Sequence, residues 1–183
     1  MRALHYIIDA LTSLYILLLL LRLVFPYIQV NYRNVLTQGI MRLTSPLVVP
    51  LRRVLPPIGR IDTATLLVAM VIQCAAVLLI VTLYKLPILP LWLSLTTIIK
   101  LLVLCIHLFA FAIIIRVVLS WIAPNQVNPA SQIIDALSEP VLAPFRRLIP
   151  TVGGMDISPV FAIIGLMALG ILVGDQSPYH PVV

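Results

Sequence analysis

Charged side chains are scarce in this chain. Asp, Glu, Lys and Arg together make up 10% of its 183 residues, whereas apolar residues make up 62% and the mean hydropathy is +1.15. This composition leaves too few polar side chains to cover the surface of a soluble globule of this length. It therefore excludes a soluble domain and predicts an all-α protein that spans a lipid bilayer.

Cysteine and histidine are also rare, with two and three residues respectively. Cys74 and Cys105 lie inside apolar runs, without the paired spacing of a metal or haem site. No motif places a nucleophile beside a base. We therefore predict no enzymatic activity, no cofactor and no metal.

Acidic residues number six against 12 basic residues, of which ten are arginine. The arginines cluster in two stretches, whereas a nucleic-acid binder would spread them over an exposed face, so we predict no nucleic-acid partner. Clustered arginines are typical of membrane topology, because basic loops stay in the cytoplasm and contact anionic headgroups.

Four apolar stretches are candidate membrane spans, since about 20 residues cross a bilayer. They are residues 4–28, 63–83, 91–123 and 155–173. The first has no small-residue cleavage site after it, so we interpret it as a retained helix. The third, with 33 residues, is too long for one span, so residues 91–99 extend beyond the hydrocarbon core or lie along the interface. The tail, with Asp175, Pro178 and Pro181, is expected to be disordered.

An internal repeat with an offset of 94 residues runs through the chain. Residues 22–62 align without a gap with residues 116–156, and 15 of the 41 positions are identical. Eleven of these identities are at polar, Pro or Gly positions, which a shared hydrophobic pattern would not produce. We infer a duplication, with residues 1–90 as repeat one and 91–183 as repeat two. Each repeat has two spans, so both copies cross the membrane in the same direction as a parallel repeat.

Each repeat joins its spans through a loop that begins with a predicted amphipathic helix. Asn128 followed by Pro129 is typical of a helix N-cap with Pro at the first position, and the segment to Pro140 has one apolar face. Asn34 begins a comparable segment in repeat one. Each helix lies in the headgroup layer or packs on the spans as an ordinary loop helix. The prolines that follow are expected to break the helix into short turns.

After each helix comes the pattern Pro-x-x-x-Pro-x-Arg-Arg-x-x-Pro-x-x-Gly-x-x-Asp, at residues 46–62 and 140–156. Its arginines, and the glutamate before the second copy, are candidates for binding anionic lipid headgroups or an acidic partner. These candidates are Arg52, Arg53, Arg146, Arg147 and Glu139. Alternatively, the arginines pair with the aspartates and fix the geometry with which the chain re-enters the membrane.

The same pattern predicts residues that cap helices or form turns. An aspartate before a span can accept hydrogen bonds from its free N–H groups, and a glycine permits a positive φ. The predicted cap and turn residues are Asp62, Asp156, Gly59, Gly153, Gly154 and Asn128.

Strongly polar residues inside the predicted spans are limited to Asp9, Gln73 and His107, which is a small set for an ion or proton path. The repeat alignment places Asp9 at the depth of Val103, which is one helical turn deeper in the membrane than Lys100. Asp9 and Lys100 can therefore form an ion pair near the outer interface. His107 has no carboxylate neighbour on its own helix, and we interpret it as a packing residue rather than a proton relay.

The distribution of basic residues indicates the orientation. The loops within the repeats hold seven basic residues, and the opposite side holds three. The positive-inside rule therefore places the loops in the cytoplasm and both termini outside. Arg22 and Arg116, at the cytoplasmic ends of the first and third spans, are expected to snorkel to the surface.

Two spans flank the sequence EPVLAPFRRLIPTVGGMDISP at residues 139–159, with a weaker copy SPLVVPLRRVLPPIGRID at residues 45–62. Together these features resemble the YggT family of bacterial membrane proteins over nearly the whole chain. The resemblance implies an inner-membrane protein without established enzymatic activity. Relatives are associated with osmotic or extracytoplasmic stress tolerance, with the division region in Gram-positive bacteria and with membrane-complex biogenesis in plastids.

These roles share no single reaction, so we predict a membrane scaffold or an assembly or stress-response factor. Its expected partners are anionic lipid headgroups and a membrane protein or a second copy of the chain. The alternative is a small channel or transporter for ions or osmolytes, with Asp9, Gln73 and His107 near a path between the repeats.

Overall fold

The computed structural model describes residues 2–28, 30–122, 128–149 and 156–179. These residues form six α-helices and no β-strand, which confirms the all-α prediction. The helices are α1 (Arg2–Val24), α2 (Val35–Arg52), α3 (Thr63–Leu83), α4 (Pro90–Ile122), α5 (Pro129–Leu148) and α6 (Ser158–Gly174).

Within the described chain, three helices are long and apolar enough to cross a membrane: α1, α3 and α4, with 23, 21 and 33 residues. α6 is also apolar, and its 17 residues correspond to a length of about 25 Å, at the lower limit for a span. Residues 91–99 belong to the same continuous helix as the rest of α4. This continuity favours their extension beyond the hydrocarbon core.

The two repeats share one core. α4 packs against α6, α5, α3 and α1, and α1 packs against α3. One cluster of buried side chains combines Ile16 and Leu19 of α1, Val68 of α3 and Leu108 of α4. The repeats are therefore not separate packing units, although the proposed boundary at residue 90 falls at the first residue of α4.

Both loop helices continue through their prolines, so the expectation that these prolines end the helix is wrong. α2 contains Pro46 and Pro50, and α5 contains Pro140 and Pro144. In each pair the prolines are four residues apart and share one face of the helix, and all four are exposed. A proline inside a helix costs about 3 kcal/mol, partly because a carbonyl loses its N–H partner. On an exposed face water can replace that partner.

The C-terminal tail packs on the turn between α3 and α4, so the expected disorder is wrong for residues 175–179. Tyr179 is 5% exposed, its ring contacts Trp92 edge-on, and its hydroxyl donates a hydrogen bond to the Pro87 carbonyl at 2.9 Å. Val77 and Val81 of α3 complete this apolar cluster. Residues 180–183 lie outside the described part of the chain.

Candidate functional site

The last turn of α1 carries a buried arginine. Arg22 is 4% exposed, and its Nη1 donates a hydrogen bond to Thr44 Oγ1 of α2 at 2.8 Å. Its Nε lies 3.6 Å from Asp62 Oδ2, just before α3. The expectation that Arg22 snorkels to the surface is wrong, because Thr44 of α2 and Asp62 before α3 hold its guanidinium group inside the protein. Nε itself has no hydrogen-bond partner among the described residues.

Asp62 connects this arginine to the turn after α2. Arg52 Nη2 donates to Asp62 Oδ2 at 2.5 Å, so one carboxylate holds arginines from two helices. Thr65 donates to the same carboxylate through its backbone N–H and, at 2.7 Å, through its hydroxyl. Burial alone raises the pKa of Asp62, but the hydrogen bonds from Arg52 and Thr65 outweigh this effect and hold the pKa below its ordinary value. We call Arg22, Arg52 and Asp62 the repeat-one cluster.

The equivalent residues of repeat two form a longer chain of ion pairs. Arg116 Nη1 donates to Glu139 Oε2 at 2.8 Å, and Arg116 Nε lies 3.1 Å from Asp135 Oδ1. Glu139 also accepts from Arg146 Nη1 at 3.1 Å, and Arg146 Nε donates to Asp156 Oδ2 at 2.8 Å. The hydrogen bond from Arg116 is the main cause that holds the pKa of Glu139 below its ordinary value, against an opposing effect of burial. We call these five residues the repeat-two cluster.

Two differences between the repeats explain the two arrangements. Ser45 stands at the position of Glu139, and Met41 stands at the position of Asp135. The repeat-one cluster therefore has two arginines and one carboxylate, whereas the repeat-two cluster has two arginines and three carboxylates. The formal charge of the first cluster is positive and that of the second is negative.

The two aspartates meet the following helices differently. α3 starts directly after Asp62, whose carboxylate accepts from the Thr65 N–H as a helix N-cap. α6 starts one residue later, so Asp156 is not the N-cap that the sequence predicts, and it accepts instead from the Ser158 N–H at 2.9 Å. Pro159 occupies the position of Thr65. Because proline has no N–H to donate, the aspartate of repeat two must bond to a different residue.

The turn of repeat one contains the glycine that the pattern predicts. Gly59 has a φ of +62°, a conformation that glycine adopts without a steric penalty. The residues on either side of the Gly59–Arg60 pair, Ile58 and Ile61, exchange two backbone hydrogen bonds of 3.1 Å, which closes a tight turn before α3. Gly153 and Gly154, the predicted turn residues of repeat two, lie outside the described residues.

The loop helices start at asparagines, and these starts lie in contact. Asn128 Oδ1 accepts from the Ser131 N–H at 2.8 Å, and Asn34 Oδ1 accepts from the Leu36 N–H at 2.9 Å. Asn34 Nδ2 also donates to the Pro129 carbonyl at 2.7 Å. The N-terminal ends of α2 and α5 are therefore joined across the two repeats.

The adjacent arginines of each turn have different environments. Arg52 lies in the repeat-one cluster. Arg146 lies in the repeat-two cluster, together with Glu139. Arg53 and Arg147 are exposed, and their guanidinium groups have no ion pair or hydrogen bond with any residue that the structure describes. Neighbouring residues on a helix point about 100° apart, so one arginine of each pair faces its aspartate and the other faces away from it.

Three further arginines of repeat one share the environment of Arg53. Arg33, Arg42 and Arg60 are exposed, and within the described ranges their guanidinium groups have no partner. Their positions in the sequence predicted only the orientation in the membrane, and they were not among the predicted binding residues. The signal that could have identified them is the absence of any acidic residue between positions 33 and 60, whereas the loop of repeat two contains two. We call Arg33, Arg42, Arg53 and Arg60 the basic surface.

The two loop helices also differ in how far their own apolar side chains are buried. Leu36, Leu43 and Leu47 of α2 are 46%, 61% and 45% exposed, and their spacing places them on one face of the helix. Leu137 of α5, which is equivalent to Leu43, is 3% exposed and packs against Phe25 and its neighbours. Both loop helices pack on the spans, but α2 in addition presents a leucine face outward.

The polar residues of the spans meet at one cavity of about 390 Å³, which is lined by α1, α3, α4 and α6. Asp9, Gln73 and His107 all line it, so the structure brings the three predicted residues together. Lys100 Nζ donates to Asp9 Oδ1 at 2.5 Å, which forms the ion pair that the repeat alignment suggests. The cavity is on the opposite side of the bundle from the two arginine clusters, near the first residues of α1 and the last residues of α6.

Comparison with known sequences identifies the family. The sequence profile of the CCB3/YggT family matches residues 1–83 and 95–176. The chain belongs to the CCB3/YggT family. The two matched segments correspond to the two repeats, and the resemblance to YggT proteins is confirmed.

Relatives in the CCB3/YggT family include bacterial and plant proteins. An uncharacterized protein of Pseudomonas aeruginosa is 42% identical over 170 residues, which cover 92% of this chain and 86% of the relative. The YggT protein of Escherichia coli K12 is 30% identical over 177 residues, which cover 96% and 91%. The chloroplast protein CCB3 of Arabidopsis thaliana, whose name refers to cofactor assembly of complex C, is 35% identical over 72 residues, which cover 38% and 41%. No solved structure matches the chain.

Proposed function

We propose that this CCB3/YggT protein is a membrane scaffold or assembly factor that holds anionic lipid headgroups at the basic surface. The observation that supports this function is the group of four exposed arginines that have no partner among the described residues. Where a fold uses an arginine for its own stability, as at Arg52 and Arg146, it supplies a carboxylate. The basic surface has none, so its charge is available to a ligand.

The chemistry of the basic surface fits a phosphate-bearing membrane. Guanidinium groups bind phosphate oxygens with paired hydrogen bonds, and each basic residue near an anionic leaflet contributes about 1 kcal/mol of attraction. The exposed leucine face of α2 can insert into the headgroup region beside them. α2 then lies in the interface, while α5 stays packed on the spans.

The relatives support a role in assembly. The plant relative CCB3 carries a name that refers to cofactor assembly of complex C. A protein that presents a fixed charged face at the membrane can hold a partner in one orientation, without any reaction of its own. We propose that the partner is a membrane protein that docks beside α2, with the loops in the cytoplasm of a bacterial inner membrane.

The test compares equivalent residues of the two repeats. Native mass spectrometry would measure which lipids the purified protein retains from equal amounts of phosphatidylglycerol and phosphatidylethanolamine. We expect the unmodified protein to prefer phosphatidylglycerol, Arg53→Gln to weaken that preference, and glutamine at all four positions of the basic surface to abolish it. Asp62→Asn is unsuitable for this purpose, because it would disturb the fold.

Arg147→Gln is the matched control, since it removes one exposed arginine from the repeat whose other charges are paired. A photocrosslinker at position 53 or 147 in cells tests the partner, and capture from position 53 alone is the expected result. An unchanged lipid preference in the fourfold variant would contradict the proposal.

The cavity is the observation that favours transport as a second function. Among the described residues, however, the cavity does not continue through the bundle. Ile16, Leu19 and Leu20 of α1 and Leu108 of α4 are buried between it and the loops. Reconstituted liposomes that show flux of ions or small solutes above protein-free liposomes would establish transport, whereas we expect no flux.

A further inference from the structure

The cavity between the repeats has no part in the proposed scaffold function. We propose that it is a binding site for a small zwitterion, a molecule that carries an ammonium group together with a carboxylate or phosphate. Three observations support this site: the position of the cavity, an amide side chain that opens onto it, and an ion pair made by residues of different repeats.

The cavity lies where the two copies of the first helix of each repeat face one another. Asp9 and Val103 are equivalent positions with the offset of 94 residues, and both line the cavity. The same is true of Ser13 and His107. Parallel repeats commonly place a binding site at the interface between the copies. Because each equivalent pair has diverged chemically, the site itself is asymmetric and suits a ligand with two different ends.

Gln73 of α3 gives the cavity a polar wall. Its side chain lines the cavity, the residue is 3% exposed, and it has no hydrogen bond to another described residue. The fully buried side-chain polar atoms without a hydrogen-bond partner in the described chain are Arg22 Nε and Thr37 Oγ1, not those of Gln73. The Gln73 amide therefore opens onto the cavity, where a ligand can bond to it. An amide both donates and accepts, so it can bond to either end of a zwitterion.

The ion pair between Asp9 and Lys100 selects the charge of the ligand. Asp9 comes from repeat one and Lys100 from repeat two, and their side chains are 40% and 19% exposed. A simple cation that binds Asp9 would displace Lys100, and a simple anion that binds Lys100 would displace Asp9, so in each case one partly exposed charge loses its partner. A zwitterion supplies an ammonium for Asp9 and an anionic group for Lys100, so every charge remains paired.

Two other titratable groups face the same space. Asp175, directly after α6, and His107 of α4 line the cavity with the ion pair. Apolar side chains of α4 and α6 complete the wall, among them Val103 and Ile171. The volume lies within the range of about 300–1,000 Å³ that is typical of small-molecule sites.

A zwitterion of this kind has two sources, a free solute such as an amino acid or the headgroup of an ethanolamine phospholipid. The experiment uses detergent-purified, delipidated protein and measures equilibrium binding of four radiolabelled probes. Glycine represents the free solute, glycerophosphoethanolamine represents the headgroup, and methylammonium and acetate each carry only one of the two charges.

We expect saturable binding of at least one of the two zwitterions and at least tenfold weaker binding of methylammonium and acetate. Binding of glycine assigns a free solute, and binding of glycerophosphoethanolamine alone assigns a lipid headgroup. Asp9→Asn and Lys100→Met should each weaken the binding at least tenfold. Gln73→Leu, which keeps the shape and leaves the ion pair intact, should weaken it while the protein stays folded.

Asp135→Asn and Gln132→Leu are matched controls, because they change the same residue types at the loops and outside the cavity. Both should bind the zwitterion as the unmodified protein does. The proposal is overturned if no probe binds, if methylammonium or acetate binds as well as the zwitterions, or if the Gln73 variant binds with unchanged affinity. None of these outcomes depends on the basic surface, so the scaffold function is tested separately.

Discussion

Asp62 joins three helices. Its carboxylate accepts from Arg52 at the end of α2 and from Thr65 in α3, and it neutralises Arg22 of α1. Both Arg22 and Asp62 are 4% exposed. A buried ion pair adds little stability compared with an apolar core, but loss of one partner leaves a buried charge unpaired.

Asp62→Asn should therefore destabilise the protein by about 3–5 kcal/mol, the usual cost of breaking a buried pair from one side. Glu139→Gln serves as the control, because its carboxylate is half exposed and Arg116 keeps Asp135 as a partner. Unfolding by denaturant in detergent micelles measures both. Equal effects of the two substitutions would show that Asp62 is not the central partner.

The carboxylates of both clusters also predict a dependence on pH. Burial raises the pKa values of Asp62 and Asp156, but their hydrogen bonds and ion pairs outweigh it and hold both below the ordinary range. The hydrogen bond from Arg116 holds the pKa of Glu139 below its ordinary value. A depressed pKa stabilises the folded state fully above the unfolded-state pKa, which is about 4. This contribution is lost as the pH falls through the folded-state values. The thermal midpoint should thus be constant between pH 7 and 5 and fall below pH 4, with a shallower fall in Asp62→Asn.

At the scale of elements, α2 and α5 show that one pattern can be used in two ways. Both start at an asparagine cap and continue through two exposed prolines. The equivalent residues Val48 and Leu142 are both fully buried against the spans. The helices differ instead at Leu43 and Leu137, which are 61% and 3% exposed. The loop arginines differ in the same direction: among the described residues, four have no partner in repeat one and one, Arg147, has none in repeat two.

Leu43 and Leu137 provide a matched comparison of the two helices. Leu137→Ala removes a side chain that is 3% exposed and should cost about 2–5 kcal/mol. Leu43→Ala removes one that is 61% exposed and should change the unfolding free energy by less than about 0.5 kcal/mol. Denaturant unfolding of the two variants in detergent measures the loss of unfolding free energy for each. A larger loss for Leu43 would mean that α2 is covered in the folded protein.

At the scale of the whole molecule, duplication produced a shared bundle with two distinct ends. The caps, turns and arginine clusters lie at the end that contains α2 and α5. The cavity and the ion pair between Asp9 and Lys100 lie towards the other end. Two spans in each repeat, as the sequence predicts, would place both loops on the same side of the membrane.

The positive-inside rule predicts which end faces the cytoplasm. In a background with Cys74 and Cys105 replaced by alanine, cysteine at position 53 should react with a membrane-impermeant maleimide only after the cells are permeabilised. Cysteine at position 2 should react in intact cells. The reverse pattern at both positions would invert the orientation and place the basic surface outside.

Much of the fold followed from composition and spacing. The apolar runs predicted the helices that can span a membrane, and the offset of 94 residues predicted equivalent turns. The cap at Asn128 and the positive φ of Gly59 follow from local preferences of these residue types. The prolines of α2 and α5 were misjudged because their effect depends on whether the helix face is exposed, which is not a local property.

The amino-acid sequence was enough to predict apolar helices suited to a membrane, the duplication and the family. These properties depend on composition, on the spacing of residue types and on sequence identity, all of which can be read along the chain. The three-dimensional packing established which member of each arginine pair is neutralised, which leucine face is covered and where the polar residues of the spans converge. Asp9 and Lys100 are 91 residues apart in the chain and in direct contact in the structure. Contacts of this kind depend on how the helices pack, and no local pattern records that packing.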